Sequence, residues 1–333
     1  MRVFLTGATG FLGLRLAKRL RGAGHEVRAV VRDPDRAAGL AALGVSLARG
    51  DVTDRESVRA PLEGCDALFH LAAVYKVGVR DPAEMERVNV EGTRNVLELM
   101  QELGVAKGVY TSTLAVFSDT RGKVPDEAYR FTGRHLSHYD RTKWVAHYEV
   151  AHPMVRRGLP LTVVMPGVVY GPGDTSQLRP VLVQYLQGKL RAAPKHAGVC
   201  WGFIDDIIEG HVLALAKGRP GDDYIIAGPP HRFVEAFEVA SRITGVRPPR
   251  LNPGRGTMRL LAALAGLREK FGEVPPERTA EYLRVNQGVT YYGDNAKARR
   301  EWGYAPRPLE EGLRATLEHE MRILGMEPAK AAG

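Results

Sequence analysis

The chain has 333 residues, of which 44% are hydrophobic and 26% are charged, a composition that excludes disordered, collagen-like and coiled-coil proteins. Two cysteines, Cys65 and Cys200, are too few for a disulfide framework. Because MRVFL is followed at once by glycines, we expect no signal peptide and a cytoplasmic location. No apolar run approaches the roughly 20 residues of a membrane helix. The run that comes nearest to this length, residues 259–267, predicts a short packed helix. We therefore expect no membrane partner.

The formal net charge is +9, from 47 lysines and arginines against 38 aspartates and glutamates. These cations are spread along the chain without a block of five or six, which favours a solvated basic surface over a nucleic-acid interface. We therefore expect no nucleic-acid partner, although one or two of the cations could serve an anionic small ligand.

The first half of the chain alternates strand and helix patterns. Apolar runs such as VFLTG and EVRAVVR are separated by amphipathic segments near 11–23, 34–43 and 54–63, and longer helices follow near 82–103 and 138–157. This rhythm predicts an α/β protein with a doubly wound parallel sheet of the Rossmann type. After about residue 170, proline and glycine punctuate the chain. We predict a first domain of residues 1–170 plus about 198–220, and a smaller, discontinuous substrate-binding domain of residues 171–197 and 221–330.

A glycine-rich segment, TGATGFLG at residues 6–13, joins the first predicted strand to the first predicted helix. Small residues there let backbone N–H groups approach a pyrophosphate at the helix N-terminus, where the helix dipole favours an anion. A second strand ends 18 to 20 residues after Gly13, so the pattern indicates a dinucleotide site rather than an ordinary tight turn. We assign to this site Thr6, Gly7, Thr9, Gly10, Phe11, Leu12 and Gly13.

The end of the second strand bears on which dinucleotide binds. An acid there would bind the ribose 2′-hydroxyl of NAD, but Val31 occupies its place. Arg32 follows, and its guanidinium can fork onto the 2′-phosphate of NADP. Asp33 is the alternative acid, displaced by two positions, although Pro34 after it is typical of a helix start. We predict that NADP(H) is the preferred cofactor and that NAD(H) is possible.

The next two strand ends are also placed to line the cofactor. Asp51 and Val52 follow the third strand, near the expected adenine, and Asp51 could also cap the next helix. The fourth strand ends in HLAA, whose small residues allow a close backbone approach. We interpret its histidine, His70, as a packed strand residue, and we assign to the cofactor Asp51, Val52, Leu71, Ala72 and Ala73.

Tyr139 and Lys143 are spaced i and i+4, so a helix places them on one face. A phenol with an ordinary pKa of about 10 is a poor acid–base catalyst at neutral pH, but an adjacent ammonium stabilises the phenolate and lowers that pKa. The spacing alone is common. It becomes specific after a glycine-rich turn and some 26 residues beyond Thr113, at the end of a predicted strand.

Together TGATGFLG, FHLAA, NVEGT, TST, YDRTK, PGVVYGPGD and FIDDI resemble the extended short-chain dehydrogenase/reductase family over nearly the whole chain. The resemblance implies that Tyr139 is the acid–base residue, that Lys143 holds the nicotinamide ribose, and that Thr113 hydrogen-bonds the substrate oxygen. It also implies a homodimer formed by the helices near 82–103 and 138–157. Further cofactor contacts are expected from Thr111 and, at the end of the sixth strand, from Pro166, Val168 and Val169.

Ser112 is the rival of Thr113 for the substrate oxygen. Neighbouring residues on a strand point to opposite faces, so only one of the two hydroxyls can face the substrate. The register favours Thr113.

Differences from the motifs of particular branches of the family narrow the choice among those branches. Leu114 and Ala115 stand where sugar-nucleotide dehydratases carry an Asp–Glu pair, and Val199 and Cys200 stand where epimerases carry a diphosphate-clamping arginine. VRDP, NVEGT and GHVLAL are most similar to the dihydroflavonol reductase-like branch. The implied function is NADP-dependent hydride transfer to or from a small carbonyl or alcohol substrate. An NAD-dependent sugar or nucleotide-sugar epimerase and a non-catalytic NADPH-binding sensor are the alternatives.

Several residues near these motifs have two interpretations. His135 and His138 could line the pocket or lie in a surface loop, and Trp201 could form a substrate wall or pack in the core. Asp205 and Asp206 could suggest a metal, but their position at a strand–helix junction favours capping. We predict no metal site.

Overall fold

The computed structural model describes residues 1–75, 77–78, 81–269, 272, 274–275, 279–285 and 288–326. The other residues of the two predicted domains, up to residue 330, lie outside the described residues. The strands are β1 (Arg2–Thr6), β2 (Glu26–Val31), β3 (Ser46–Arg49), β4 (Ala67–His70), β5 (Lys107–Thr111), β6 (Leu161–Pro166), β7 (Val168–Tyr170), β8 (Gly198–Phe203), β9 (Asp223–Ile226), β10 (Pro230–Arg232) and β11 (Thr290–Tyr291).

The helices, again in chain order, lie between and after these strands. They are α1 (Phe11–Gly22), α2 (Ala38–Ala42), α3 (Arg55–Leu62), α4 (Ala83–Glu86), α5 (Thr93–Glu102), α6 (His138–Val145), α7 (His152–Arg156), α8 (Leu178–Leu186), α9 (Ile204–Lys217), α10 (Phe233–Thr244), α11 (Arg255–Arg268), α12 (Ala280–Val285), α13 (Ala296–Trp302) and α14 (Leu309–Ile323).

The larger sheet has seven parallel strands in the order β3-β2-β1-β4-β5-β6-β9. Strand order reverses at β1, and ligands in such sheets bind outside the carboxyl ends of the strands at this point. Every residue of β4 and β6 is buried, as expected for a parallel sheet covered on both faces. The predicted α/β fold of the Rossmann type is confirmed.

The boundary between the two parts differs from the predicted one. The apolar run predicted as a single sixth strand breaks at Gly167, where a Cβ would lie 2.2 Å from the Cys200 carbonyl oxygen. Consequently β6 stays in the large sheet, whereas β7 pairs with β8 in a smaller sheet that also contains β10 and β11. Strand β8, predicted in the first domain, lies in this smaller sheet. Strand β9, predicted in the second domain, completes the large sheet.

Two long predicted helices each contain a π-helical turn, a feature often found near functional sites. Arg87–Gly92 joins α4 to α5, and Ala146–Ala151 joins α6 to α7. Asn89 in the first of these turns is fully buried. Its amide donates to the Val74 carbonyl and to the Thr142 hydroxyl, both at 3.0 Å, and it accepts from the Val74 N–H at 2.7 Å. Asn89 therefore fixes the chain after β4 against α6.

Helix α11 contains the apolar run that was predicted to pack. Its leucines are instead largely exposed, with Leu260 at 61%, Leu264 at 50% and Leu267 at 53%. The buried residues of the helix are Met258, Ala262 and Ala265, through which it packs against the rest of the protein. Among the described residues, no helix has the length and hydropathy needed to cross a membrane.

Candidate active site

The turn between β1 and α1 is closely packed and conformationally specific. Gly7 has φ of +70°, and a Cβ there would lie 2.7 Å from the Ala72 nitrogen; a Cβ on Gly13 would lie 2.1 Å from the Gly7 oxygen. Helix α1 begins after Gly10 with no side chain capping it within the described chain, and its first turn has no acid. The first N–H groups of α1 and its dipole thus fit a phosphate group.

Thr6 lies beneath this turn rather than on its surface. It is fully buried, and its hydroxyl accepts from the N–H groups of Leu71 and Ala72 at 3.2 Å. The same hydroxyl lies 2.8 Å from His70 Nδ1, and His70 Nε2 lies 3.0 Å from the Thr93 hydroxyl. Burial lowers the pKa of His70 to about 3, so the ring is neutral. This network holds the chain after β4 against the glycine turn.

The end of β2 presents a cation and an acid with different surroundings. Arg32 is exposed. Asp33 caps the 3₁₀ turn Pro34–Arg36, where its carboxylate accepts from the Asp35 N–H at 3.2 Å.

The end of β3 carries another engaged carboxylate and a buried valine. Asp51 accepts from the N–H and the hydroxyl of Thr53 at 2.9 and 2.8 Å. Val52 is buried against Gly92, where a Cβ would lie 2.7 Å from Val52 Cγ2.

Tyr139 and Lys143 lie one turn apart on α6, whose cap is Ser137, with the Asp140 N–H donating to the Ser137 hydroxyl at 3.0 Å. Tyr139 is half-buried, and the ring of Tyr75 contacts it edge-on at 4.6 Å between centroids. Lys143 is buried, and its ammonium donates to the Tyr110 hydroxyl at 3.0 Å and the Thr111 carbonyl at 2.9 Å.

The pKa values of this pair are governed by burial. Desolvation raises the pKa of Tyr139 above its ordinary value, and a hydrogen bond with the Thr113 side chain opposes that rise. Desolvation also lowers the pKa of Lys143 to about 7. The sequence predicted that the Lys143 ammonium lowers the tyrosine pKa, but burial governs that pKa here and the opposing contact comes from Thr113.

Ser112 and Thr113 differ in their surroundings. Strand β5 ends at Thr111, so both residues follow the strand, whereas the sequence predicted that the strand continued. The Thr113 hydroxyl accepts from the Ala115 N–H at 3.1 Å, and Thr113 lines the same cavity as Tyr139. The Ser112 hydroxyl is buried and lies 2.7 Å from His147 Nδ1. Only Thr113 of the two lies on the cavity wall.

A cavity of about 590 Å³ lies beside Tyr139 and Thr113. Its lining is mostly apolar and comes from both parts of the protein. It is also lined by four residues that were predicted to contact the cofactor: Phe11, Leu12, Val168 and Val169. Further walls come from α8, α10, α11 and α12, through residues that include Val181, Phe233, Phe237, Met258 and Leu283. Such a chamber suits an apolar molecule with a polar group near the tyrosine.

Asp140 is a cavity residue that the sequence analysis missed. It is 2% exposed, and its carboxyl accepts from the Ser137 hydroxyl at 2.7 Å and from the Tyr291 hydroxyl at 3.0 Å. Burial raises its pKa to about 7. Its place inside YDRTK was visible, but nothing in the sequence links it to Tyr291, which is 151 positions away.

The residues with two interpretations are placed as follows. Trp201 is buried between Tyr170 and Phe233 in the core, off the cavity wall. Asp206 does not cap α9, because Phe203 is the cap residue. It instead pairs with Arg307, whose guanidinium donates to it at 2.8 Å and whose N–H donates at 2.9 Å.

Among the described residues, His135, His138 and Asp205 also lie away from the cavity wall. His138 is exposed, and His135 packs between the rings of Phe131 and Trp144. Asp205 is exposed in the first turn of α9, 3.7 Å from Arg15.

Residues 3–227 match the model of the NAD dependent epimerase/dehydratase family. The chain is 32% identical to "Putative dihydroflavonol 4-reductase" of Synechocystis sp., covering 93% of this chain and 92% of that protein. It is also 32% identical to the 4-hydroxy-2-methyl-3-oxo-4-farnesyl-3,4-dihydroquinoline-1-oxide ketoreductase of Stigmatella aurantiaca, over 99% of this chain and 100% of that protein. The chain therefore belongs to the NAD dependent epimerase/dehydratase family, and its resemblance to extended short-chain dehydrogenases is confirmed.

A solved structure agrees with this assignment. The crystal structure of gox2253 superposes with a TM-score of 0.85 at 32% identity, and the match covers 98% of this chain and 99% of that chain.

Proposed function

We propose that this protein is an NADP-dependent oxidoreductase that transfers a hydride between nicotinamide and the carbonyl or alcohol carbon of an apolar small molecule. The observation that carries the proposal is the position of Tyr139 and Thr113 on one wall of a mostly apolar cavity, next to Phe11 and Leu12 of the glycine turn. The ketoreductase named among the relatives supports the same reaction class.

The cofactor would be held along the carboxyl ends of the large sheet. Backbone N–H groups at the start of α1 would bind its pyrophosphate, and Asp51, Val52 and the Leu71–Ala72–Ala73 segment would line the adenine side. Lys143 would bind the nicotinamide ribose, and the backbone of residues 166–169 with Thr111 would face the nicotinamide. When bound, the nicotinamide supplies or accepts the hydride.

The proton is moved by the protein. In the reductive direction the Tyr139 hydroxyl donates its proton to the substrate oxygen, and in the oxidative direction the phenolate accepts it. The Thr113 hydroxyl donates a hydrogen bond to that oxygen and fixes its position. Because oxidation needs the phenolate of Tyr139 as the proton acceptor, we expect oxidation to become faster with rising pH.

The direct test is NADPH consumption with a panel of apolar ketones and aldehydes. We expect turnover with some of them, and Tyr139→Phe to lower kcat by about 10²-fold or more because the proton donor is removed. Tyr148→Phe is the matched control, since Tyr148 is a buried tyrosine on the same helical segment whose hydroxyl bonds the Tyr129 carbonyl at 3.2 Å. Equal activity of the two variants would refute the assignment of Tyr139.

The cofactor preference is tested separately with Arg32→Ala. Losing a charge-assisted contact with the 2′-phosphate should raise the Kd for NADPH about tenfold or more and leave the Kd for NADH nearly unchanged. Arg36→Ala, at a neighbouring exposed arginine, is the control. An unchanged NADPH affinity in Arg32→Ala would exclude this role.

The alternative functions predict different results. An epimerase would retain NAD through dialysis and would show no net NADPH consumption. A sensor would bind NADPH without turnover, and Tyr139→Phe would change nothing. The homodimer expected through α4–α5 and α6–α7 is part of the proposal, and light scattering of the purified protein measures it.

A further inference from the structure

Helix α11 has an apolar stripe on its outer side as well as its inner side. The inner stripe, spaced one turn apart and buried, consists of Met258, Ala262 and Ala265. The outer stripe repeats with the same spacing and consists of Leu260, Leu264 and Leu267, each at least half exposed. A helix on a protein surface is usually polar on its outer side. This helix instead presents leucines to its surroundings.

The apolar surface extends beyond the stripe. Leu261 on the same helix is 44% exposed, and Leu251, just before the helix, is 61% exposed. Single exposed leucines are ordinary, but four at neighbouring positions of one helix, Leu260, Leu261, Leu264 and Leu267, indicate an interaction site.

The charged residues of α11 and of residues 250–254 before it are all arginines, and Glu269, whose carboxylate accepts from the Ala280 N–H, directly follows the helix. Residues 250–268 contain four arginines and no aspartate or glutamate. All four arginines are exposed: Arg250, Arg255, Arg259 and Arg268. At about 100° per residue, Arg259 and Arg268 lie on either flank of the leucine stripe. An apolar stripe flanked by arginines matches the boundary between lipid chains and anionic headgroups.

Helix α11 also forms part of the cavity wall. Met258 on its inner side lines the cavity, as does Pro253 before the helix, and Leu283 and Val285 of α12 adjoin them. The same helix therefore separates the cavity from the exposed leucines.

The exposed leucines change the expectation that there is no membrane partner: we propose that α11 docks this protein onto the surface of a bilayer that contains anionic lipids. The leucine stripe enters the boundary between headgroups and acyl chains, and the arginines pair with lipid phosphates. Docking places the cavity beside the phase in which apolar molecules concentrate; this link to substrate supply rests on the proposed function, whereas docking itself does not. A second copy of the chain is a poorer occupant, because it would gather the arginines of both copies in one interface.

The test is co-sedimentation of the full-length protein with vesicles of phosphatidylcholine, with and without phosphatidylglycerol. We expect binding to the anionic vesicles, weaker binding to the neutral ones, and a decrease with added salt. Leu260→Gln combined with Leu264→Gln should weaken binding at least about tenfold. Arg259→Glu combined with Arg268→Glu should weaken binding to the anionic vesicles by about fivefold for each arginine, and should leave binding to the neutral vesicles unchanged.

Matched controls lie elsewhere on the surface. Ile323→Gln replaces a side chain that is 57% exposed, and Arg157→Glu reverses an exposed charge outside the patch. Neither should change binding. NADPH turnover with a water-soluble ketone should be the same in the leucine variant and the wild type, so loss of docking is distinguishable from failure of the proposed function.

Three results would overturn the proposal. The first is wild-type binding no greater than that of the leucine variant. The second is leucine and control variants that bind equally well. The third is a wild-type protein that does not bind vesicles, together with light scattering that shows a smaller oligomer for the leucine variant than for the wild type. That result would assign the surface to a second copy of the chain.

Discussion

Replacing Ser112 and Thr113 one at a time should separate stability from catalysis. Thr113 lines the cavity with Tyr139, whereas the Ser112 hydroxyl lies 2.7 Å from His147 Nδ1 inside the protein. We expect Thr113→Val to lower kcat/KM and Ser112→Ala to lower the free energy of unfolding. The two residues are adjacent, so a difference between the variants reports the direction of each hydroxyl.

The magnitudes follow from what each hydroxyl contacts. Removing one hydrogen bond to the reacting oxygen costs roughly 10²-fold in rate. Thr113→Val also removes the acceptor of the Ala115 N–H, which costs about 1 kcal/mol of stability. Ser112→Ala leaves a buried ring nitrogen of His147 without its partner, which costs about 1–3 kcal/mol, and should leave kcat/KM within about threefold of wild type.

The assay pairs steady-state NADPH kinetics with urea unfolding for each variant. Thr113→Ser is the control, because it keeps the hydroxyl and should retain most of the activity. If Thr113→Val kept full turnover while Ser112→Ala lost it, the assignment would be reversed. If Thr113→Ser were as slow as Thr113→Val, the hydroxyl would not be the group that matters.

Further predictions concern the glycine turn, the buried Asp140 and the ion pair between Asp206 and Arg307. Gly13→Ala should abolish dinucleotide binding in isothermal titration, since its Cβ would lie 2.1 Å from the Gly7 oxygen; unchanged binding would contradict the close packing. The raised pKa of Asp140, about 7, means that the folded protein holds a proton which the unfolded chain releases, so the carboxyl reduces stability as pH rises from about 4 to about 7. The free energy of unfolding of Asp140→Asn, compared with that of the wild type, should therefore be higher at pH 8 than at pH 5. An equal difference at the two pH values would refute the raised pKa. Arg307→Ala should lower the midpoint of urea unfolding by removing the partner of Asp206, with Arg307→Lys intermediate; no change would show that the pair contributes little.

The sequence predicted those parts of the site that depend on local constraints. The glycine turn at residues 6–13 was predictable because only small residues permit its positive φ and close backbone contacts. The helical spacing of Tyr139 and Lys143 was predictable because both lie within one turn of α6. The parallel arrangement of β1, β4, β5 and β6 followed from the alternation of strands and helices.

The parts that the sequence did not predict depend on contacts between distant segments. Strands β8 and β9 are similarly apolar, so hydrophobic pattern alone did not show that they join different sheets. The contact between Asp140 and Tyr291 has no sequence signal for the same reason. Helix α11 has apolar residues on both sides, and the pattern could not show that Leu260 and Leu264 face outward.

In the proposed reaction, hydride passes between nicotinamide and a carbonyl carbon while Tyr139 transfers the proton. The most direct measurement uses NADPH deuterated at C4 on each face in turn, with the best ketone of the panel and mass analysis of the alcohol. We expect deuterium on the carbinol carbon from one face only, at a rate that falls about 10²-fold or more in Tyr139→Phe. Alcohol product without deuterium from either face, or an undiminished rate in Tyr139→Phe, would contradict it.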